Sequence, residues 1–527
     1  MSAIEKSPVI GKHILSTLTI GMYQDPRMIY REYIQNSADQ IDTLSEDELQ
    51  DKIRQTIVID IDEKRRRVEI KDSATGIPQE QFQDRLLNVA DSQKDPSKNK
   101  GFRGIGRLAG LNYCQKLIFE SSAPGETSIS RLEMDGQEMI RILHDQDDHS
   151  LASDVIRRIS KISYQDDAEK PYNCWFKVTL EDVRMDVGKQ LLDIDSVKEF
   201  IAQVAPVPFS HLKFKLGKGI MEEAQKAGVP IEEYTIRVNG VTITKLFKDI
   251  LCDAHGRTLA VDCKPVYRMI EWHDKKLAWG WFILPAAGVS LPESTNPERK
   301  IRLRKGNIQI GFDNFLDPFF PEARSNGYML GEIYLLSDKI LPNGDRNALE
   351  VSEEAAAFTD QLRNVFFKDL WAAAHKANEL NNARRDIEKY AQTVADYKEL
   401  ANNGATVVME TKKPELEKAY ERALAGQQKI ERVTGAAIKG AFVKGIVDAF
   451  VERRPTSSGN DLITSQQVIK ECASKSSKKA SKKETVKTTG NKLMNIIIKI
   501  LSDSGIEPML ALELAQKINE NICKEDE

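Results

Sequence analysis

Apolar side chains recur at helical spacing near the start of the chain, between residues 26 and 44. The residues that repeat every three or four positions are Tyr30, Ile34, Ala38 and Ile41. This spacing predicts a helix with one buried stripe. Glu32 and Asn36 stand four positions apart on a different face of the same helix, and Asp39 lies about one turn further on.

Two runs rich in β-branched residues follow this helix, at Thr56–Asp62 and Arg66–Asp72, with a charged turn between them. The pattern predicts two antiparallel strands. Asp72 closes the second strand, and the turn Ser73–Pro78 comes directly after it. Apolar residues then return to helical spacing over Gln79–Ala90, which predicts a second helix.

A glycine-rich stretch, Lys100–Gly110, contains four glycines and two arginines. Glycine lacks a Cβ and tolerates positive φ, so this backbone can approach an anion closely. The apolar run after it could form a helix whose N-terminus faces the same anion. The stretch lacks the Gly-Lys-Ser/Thr ending of a P-loop, and no strand directly precedes it as a Rossmann turn requires. By itself it indicates only a loop that could cradle phosphate.

The pattern of apolar and polar residues changes twice in the second half of the chain. Residues 170–350 alternate β-rich and helical runs, which predicts an α+β domain. Helical patterns then run from Ser352 to about Ala401 and from Glu415 to Val451, with Gly404 and Pro414 as breaks between them. A Lys/Ser/Thr-rich stretch typical of a solvated tether precedes a small helical end. The predicted division is 1–180, 181–350, 351–451, 452–489 and 490–527.

Composition narrows the class of protein. The 527 residues are 41% apolar and 30% charged, which is ordinary for a globular protein of two to four domains. The net charge of -4 argues against wholesale electrostatic binding to nucleic acid, but leaves room for a local basic patch. Six cysteines without CxxC spacing indicate reduced thiols. Neither a membrane-spanning run nor a secretory signal is recognisable, so we expect a cytoplasmic protein without a membrane partner.

The polar residues of the first 110 positions meet the demands of a nucleotide site without a P-loop. Asn36 can offer a carbonyl oxygen to Mg²⁺, which keeps water and phosphate as its other ligands. Glu32 is placed to orient or deprotonate a water in line with the γ-phosphate. Asp72 can accept a hydrogen bond from the exocyclic amine of adenine, and Gly76 lets the backbone pass close to the base. The glycine-rich stretch would then cover the phosphates.

Four motifs in this order resemble the GHKL ATPase superfamily of gyrase, the ninety-kilodalton heat-shock chaperone, histidine kinases and MutL. They are Glu32-Tyr-Ile-Gln-Asn36-Ser-Ala-Asp39, Asp72-Ser-Ala-Thr-Gly76-Ile-Pro, Ala90-Asp-Ser92-Gln-Lys94 and Gly101-Phe102-Arg103-Gly104-Ile105-Gly106-Arg. The resemblance covers roughly the first 180 residues and implies a Bergerat-type α/β sandwich with an N-terminal strap.

The same resemblance implies roles for individual residues. Glu32 would be the general base, Asn36 the Mg²⁺ ligand and Asp72 the adenine anchor. The further nucleotide contacts would come from Asp39, Gly76, Ser92, Lys94 and the lid Gly101–Gly106, which includes Phe102, Arg103, Gly104 and Ile105. Ala74 departs from the family pattern D-x-G-x-G at its first glycine, and no Gly-Thr precedes the strand predicted at Phe176–Leu180. Each residue also has a simpler interpretation as a solvated helix face, a turn or a loop.

Residues 181–350 resemble the transducer domain that follows the ATPase domain in the chaperone and in MORC-type proteins. The resemblance rests on Arg302–Gly311, on Gly331-Glu332-Ile333 and on Leu341–Arg346. It implies that a basic residue of this domain reaches the γ-phosphate, and the candidates are Arg304, Lys305 and Arg346. The alternative is that these residues form a basic strand edge that guards against aggregation.

The resemblance implies an Mg²⁺-dependent ATPase that works as a homodimeric clamp. One hypothesis is a chaperone-like machine that acts on a protein client. A second is a DNA-associated clamp of the MORC or MutL kind, with DNA bound through the lysines of 475–492, and a role in phage defence is attached to it. A histidine kinase is disfavoured because a large transducer follows the ATPase domain and no phosphoacceptor pattern precedes it.

Overall fold

A computed structural model describes residues 9–21, 25–50, 55–90, 104–166, 174–261, 264–285, 291–435, 444, 448, 462–480, 488–503 and 506–525. The chain divides into two compact units, Met1–Lys368 and Asp369–Glu527. The first unit contains two large sheets, and the second is helical. The α+β class predicted from the sequence is confirmed.

An eight-stranded sheet organises the first half of the first unit. Its strands are β1 Thr56–Asp62, β2 Arg67–Asp72, β3 Cys114–Ser122, β4 Ser128–Asp135, β5 Ser160–Asp166, β6 Trp175–Val183, β7 Thr235–Val238 and β8 Val241–Thr242. The spatial order is β5-β4-β3-β6-β2-β1-β7-β8. Neighbours pair antiparallel except β1 and β7, which are parallel.

Helices cover one face of this sheet. They are α1 His13–Ser16, α2 Met28–Ile41, α3 Gln79–Leu87, α4 Gly136–His144, α5 Ala152–Ile159 and α6 Ile194–Val204. Alternate residues of β1, such as Ile57 and Ile59, share one apolar core with buried residues of these helices. The arrangement is the α/β sandwich implied by the resemblance, because strand side chains alternate between a buried and an open face.

The open face of the sheet carries cross-strand ion pairs. The Glu120 carboxylate lies 2.6 Å from the Lys177 ammonium and 2.8 Å from the Arg131 guanidinium, on the two strands that flank its own. Lys116 and Glu133 form a similar pair at 2.8 Å. Charges of both signs at neighbouring positions keep this face compatible with water.

The N-terminal strap lies along α4 and α5. Gly11 forms a β-bridge with Leu151, and the Ala152 amide donates to the Ile10 carbonyl at 3.0 Å. The buried Lys12 ammonium donates to the carbonyls of Ile142 and Asp145 at the end of α4. A cation at a helix C-terminus satisfies carbonyls that have no partner within the helix.

A five-stranded sheet forms the second half of the first unit. After helix α7 Leu216–Lys226 come β9 Ile250–Cys252, β10 Thr258–Ala260, β11 Val266–Trp272, β12 Lys275–Ile283, β13 Lys300–Lys305, β14 Ile308–Ile310 and β15 Leu330–Leu335. The five-stranded order is β11-β12-β15-β13-β14, and within the described ranges β9 pairs with β10 alone. Phe209, Phe214, Phe247 and Trp281 pack together in its core.

The first sheet extends past the domain boundary predicted at residue 180. β6 continues to Val183, and β7 and β8 join the sheet through β1. Residues between α6 and β9 therefore link the two sheets within one compact unit. The five-part division of the chain stays a prediction.

The end of the first unit and the described residues of the second unit are helical. Helix α8 spans Glu353–Gln361 and is followed by a short π-helix at Leu362–Phe366. The later α-helices are Phe367–Asn402, Thr406–Gly435, Ser465–Ala480, Thr488–Asp503 and Pro508–Glu525. Helix Ser465–Ala480 occupies part of the predicted tether, and its Val468 and Cys472 face the core of the second unit. None of the helices in the described ranges is long and apolar enough to cross a bilayer.

Two predicted breaks in the helical region behave differently. Gly404 has φ +75 and makes the turn after Asn402, as predicted. Pro414 lies inside helix Thr406–Gly435, so the predicted break at this residue is wrong. Met409 and Leu416 of this helix are buried in the core, and tertiary packing of this kind outweighs a local cost of roughly 3 kcal/mol for proline.

Candidate active site

Helix α2 brings Glu32 against the backbone of the glycine-rich stretch. The Glu32 side chain is buried, with 8% of the residue exposed. A Cβ added at Gly106 would lie 2.6 Å from the Glu32 Oε2 atom. An alanine at position 106 would therefore require the Glu32 carboxylate to shift, whereas glycine lets the main chain approach the carboxylate as it stands.

Arg31 holds the other oxygen of this carboxylate. Its Nη2 and Nε atoms lie 3.2 and 3.3 Å from Glu32 Oε1. The same Nη2 donates to the Asp345 carbonyl at 3.2 Å, which joins α2 to the loop after β15. The Nη1 atom is buried and has no hydrogen-bond partner among the described residues.

Asp72 lies at the end of β2, with 1% of the residue exposed. The Ser37 hydroxyl donates to Oδ2 at 2.9 Å, and the Ala74 amide donates to Oδ1 at 3.3 Å. Burial raises the pKa of the Asp72 carboxyl to about 6, and these two hydrogen bonds oppose the rise. At neutral pH the group is an ionised, buried hydrogen-bond acceptor.

The family pattern D-x-G-x-G places glycine at positions 74 and 76, and the backbone of this turn requires glycine only at 76. Gly76 has φ +65, and a Cβ there would lie 2.1 Å from the Ser122 carbonyl oxygen. Ala74, which replaces the first glycine of the family pattern, does not have a positive φ. The departure from D-x-G-x-G is therefore compatible with the local backbone.

The described part of the glycine-rich stretch begins at Gly104. Gly104 has φ +67, and its carbonyl accepts from the Ala90 amide at 3.3 Å. Ile105 precedes a 3₁₀-helix, Gly106–Asn112, in the apolar run that the sequence indicated as a possible helix. The Tyr33 hydroxyl donates to the Arg107 carbonyl and accepts from the Gly110 amide, so α2 fixes this segment directly. The predicted contacts Ser92, Lys94, Gly101, Phe102 and Arg103 lie outside the described residues.

A comparison with protein families agrees with this geometry. Residues 29–157 match the sequence model of a family described as histidine kinase-, DNA gyrase B-, and HSP90-like ATPase. The chain therefore carries a GHKL ATPase domain. The matched segment contains Glu32, Asn36, Asp72 and Gly76. The match of this domain supports ATP binding and hydrolysis in general terms, and no curated protein matches the chain.

The remaining nucleotide candidates of the GHKL domain lie on α2. Asn36 is half-buried and one turn from Glu32. Asp39 is buried, and it is one of several acids near Tyr234 that add to the effect of burial in raising the pKa of that hydroxyl. Gln35 is also buried, and its Oε1 atom has no hydrogen-bond partner among the described residues.

The three basic candidates from the second sheet have different environments. Arg304 is 1% exposed, and its three guanidinium nitrogens bond to Glu332, to the Asn307 carbonyl and to the Gln203 carbonyl. Lys305 donates to the Ser337 carbonyl at 2.6 Å. Burial lowers the pKa of Lys305, and the nearby charge of Arg346 adds to this effect.

Of the three basic candidates, Arg346 lies closest in sequence to the hydrogen bond between this half of the unit and Arg31 of the GHKL domain. Its neighbour Asp345 accepts the hydrogen bond from Arg31, and the Arg346 carbonyl accepts from the Gly311 amide at 2.6 Å. The donors of Arg304 are bonded to protein groups, whereas Arg346 follows the residue whose carbonyl contacts Arg31. Sequence patterns had not indicated Arg31, although its position directly before Glu32 was a usable signal.

The residues of the GHKL domain fit a magnesium nucleotide. Asp72 supplies the buried acceptor that an exocyclic amine needs. A side chain at position 106 would meet the Glu32 carboxylate, so glycine there keeps the main chain close to this carboxylate. The buried Nη1 of Arg31, which has no hydrogen-bond partner among the described residues, is available to donate to an anionic oxygen. Asn36 would provide the amide oxygen for Mg²⁺.

Proposed function

We propose that this protein hydrolyses ATP to ADP and phosphate in an Mg²⁺-dependent reaction and uses the nucleotide cycle to open and close a homodimeric clamp. The observation that carries the proposal is the arrangement around Glu32. One carboxylate oxygen is engaged by Arg31, and the other lies against the backbone of Gly106. A carboxylate held in this way is suited to accept a proton from a positioned water.

Each chain residue has a distinct task in the proposed reaction. Glu32 Oε2 accepts the proton of the attacking water while Arg31 keeps Oε1 in place. Asn36 would hold Mg²⁺, which neutralises charge on the phosphate oxygens when it is bound. Asp72 orients the base by accepting from its exocyclic amine, and Ser37 orients Asp72.

The loop after β15 would report the state of the nucleotide. Arg346, with Lys305 as the second candidate, supplies positive charge at the γ-phosphate in this proposal. Support comes from the hydrogen bond between the Asp345 carbonyl and Arg31, since it brings the backbone next to Arg346 to the residue that holds Glu32. ATP can drive closure only as far as its affinity differs between the open and closed states.

We propose a protein client for the clamp. The net charge of -4 and the transducer resemblance support a chaperone-like role. DNA is the second candidate, because the stretch from Lys475 to Lys492 is rich in lysine.

The test of the proposed function uses the wild-type protein. Phosphate release from ATP should depend on Mg²⁺, and a non-hydrolysable analogue should increase the dimer fraction in sedimentation velocity. Absence of phosphate release would refute the ATPase, and an unchanged dimer fraction would refute the nucleotide-driven clamp. The same assay with duplex DNA separates the candidates: salt-sensitive stimulation favours DNA, whereas indifference to DNA with suppressed aggregation of an unfolded protein favours a client.

A further inference from the structure

A buried polar cluster joins the two sheets of the first unit. It consists of Lys245, Arg304, Asn307, Glu332 and Tyr334, each no more than 2% exposed. The Lys245 ammonium lies 2.8 and 3.0 Å from the two oxygens of Glu332 and 3.0 Å from Asn307 Oδ1. The Tyr334 hydroxyl donates to Glu332 at 2.5 Å, and Arg304 Nε donates to the same carboxylate.

The bonds of this cluster cross from the first sheet to the second. Lys245 follows β8, which belongs to the eight-stranded sheet, whereas Glu332 lies on β15 of the five-stranded sheet. Arg304 of β13 donates to the Gln203 carbonyl of α6 at 2.7 Å. The side-chain amide of Asn307 donates through Nδ2 to the carbonyl of Glu232, just before β7, at 2.6 Å.

The charge balance of the cluster is unusual for a purely stabilising contact. Lys245 and Arg304 share the carboxylate of Glu332, so two buried cations of the cluster bond to one anion, and the nearby Glu233 adds a second negative charge that acts on Lys245. Burial, together with the charge of Arg304, lowers the pKa of Lys245. Replacing a buried ion cluster by apolar residues of similar volume is often neutral or stabilising. The directional hydrogen bonds of this cluster restrict the relative position of the elements that they join.

The elements that the cluster fixes are those that carry the loop to Glu32. β13 pairs with β15 in parallel register, and Lys305 at its end donates to the Ser337 carbonyl. β14 ends at Ile310, and the next amide, Gly311, donates to the Arg346 carbonyl. A displacement of these strands would therefore move the backbone that contacts Arg31.

We propose that Lys245 is a positioning residue for the hydrolytic reaction: it fixes β13 and β15 against the GHKL domain, and so places the loop of Asp345 and Arg346 at Arg31 and Glu32. This inference rests on the proposed function, because it assigns to Lys245 the control of a step that Glu32 performs. Lys245 itself does not touch the nucleotide. It therefore affects turnover and leaves nucleotide binding, which depends on Asp72 and α2, unchanged.

The test compares Lys245→Met with Lys300→Met. K245M leaves one cation and one anion in the cluster, so the chain should fold. We expect kcat to fall by about tenfold or more and the Kd for ATP to stay within about twofold, with partial recovery of kcat in K245R. Lys300 is a matched control, because it is a buried lysine of β13 that pairs with Asp313 and Asp317 at 3.0 and 3.1 Å. K300M should keep wild-type kcat.

The outcomes separate the inference from the function on which it rests. No hydrolysis by the wild-type protein would refute the proposed function itself. Normal kcat in a folded K245M, beside an active wild type, would refute only the positioning role. If K245M does not fold, the apolar variant K245M/R304M/E332L takes its place with the same expectation and the same refutation.

A measurement on the wild-type protein needs no variant. Hydrogen exchange with and without a non-hydrolysable ATP analogue should show protection of 341–350, 330–335 and 243–247 together. Protection of the loop with unchanged exchange at the two other segments would overturn the inference, because the loop would then respond without the cluster.

Discussion

Substitution of Gly106 by alanine tests the close approach between the glycine-rich stretch and Glu32. The new Cβ would lie 2.6 Å from Glu32 Oε2, whereas ordinary van der Waals contacts begin near 3.4 Å, so the oxygen must retreat by about 0.8 Å. Arg31 engages the other oxygen and is itself bonded to the Asp345 carbonyl, so a shift of the carboxylate would disturb these bonds. A misplacement of about 1 Å costs on the order of 100-fold in rate. We therefore expect kcat for ATP hydrolysis to fall by roughly 10- to 100-fold.

The assay is steady-state phosphate release, with the Kd for ATP measured in parallel. Gly219→Ala is the matched control, because a Cβ at this helical glycine would meet no atom within 4 Å. If G106A acts through Glu32, it should have no further effect in an E32A background. Turnover of G106A within about twofold of the wild type would refute the assigned contact.

Two further predictions concern the ends of the proposed nucleotide site. Burial raises the pKa of Asp72 to about 6, so the carboxylate becomes protonated and stops accepting from adenine as the pH falls through this value. ATP binding should therefore weaken below about pH 6 in a titration from pH 5 to 8. The D72N variant should bind ATP weakly and without this pH dependence. An unchanged Kd for ATP in D72N would contradict the role of Asp72 as the adenine anchor. R346A should lower kcat by about 100-fold with little change in the Kd for ATP, since a lost cation at the transferring phosphate affects the transition state most; normal kcat in this variant would leave Lys305 as the candidate.

The sequence allowed prediction of those parts of the fold that have local signals. The stripe of Tyr30, Ile34 and Ala38 located α2, and the β-branched run at Thr56–Asp62 matches β1 residue for residue. No signal in the sequence distinguished Arg31 and Gln35 of α2 from solvated polar residues. Arg31 and Gln35 are instead buried, because elements far along the chain cover this helix.

Long-range pairings left no pattern in the sequence. The parallel pair β1–β7 joins residues almost 180 positions apart, so the end of the first sheet could not be located from periodicity. The contact between Arg31 and Asp345 spans 314 positions, and the pair Lys245–Glu332 spans 87. Glu332 had been singled out only as part of a motif, and its role as the shared anion of two buried cations depends on the packing of the two sheets.

The Glu32→Ala variant most directly tests the proposed role of Glu32 as the general base of an ATPase. Phosphate release by wild type and E32A should be measured at saturating Mg²⁺ and ATP, with bound nucleotide quantified in the same samples. We expect turnover in E32A to fall by about 100-fold or more, which is the range for loss of a general base, while ATP remains bound. Wild-type turnover in E32A would contradict the role of Glu32 as the general base, because a variant without this carboxylate would then still activate the attacking water.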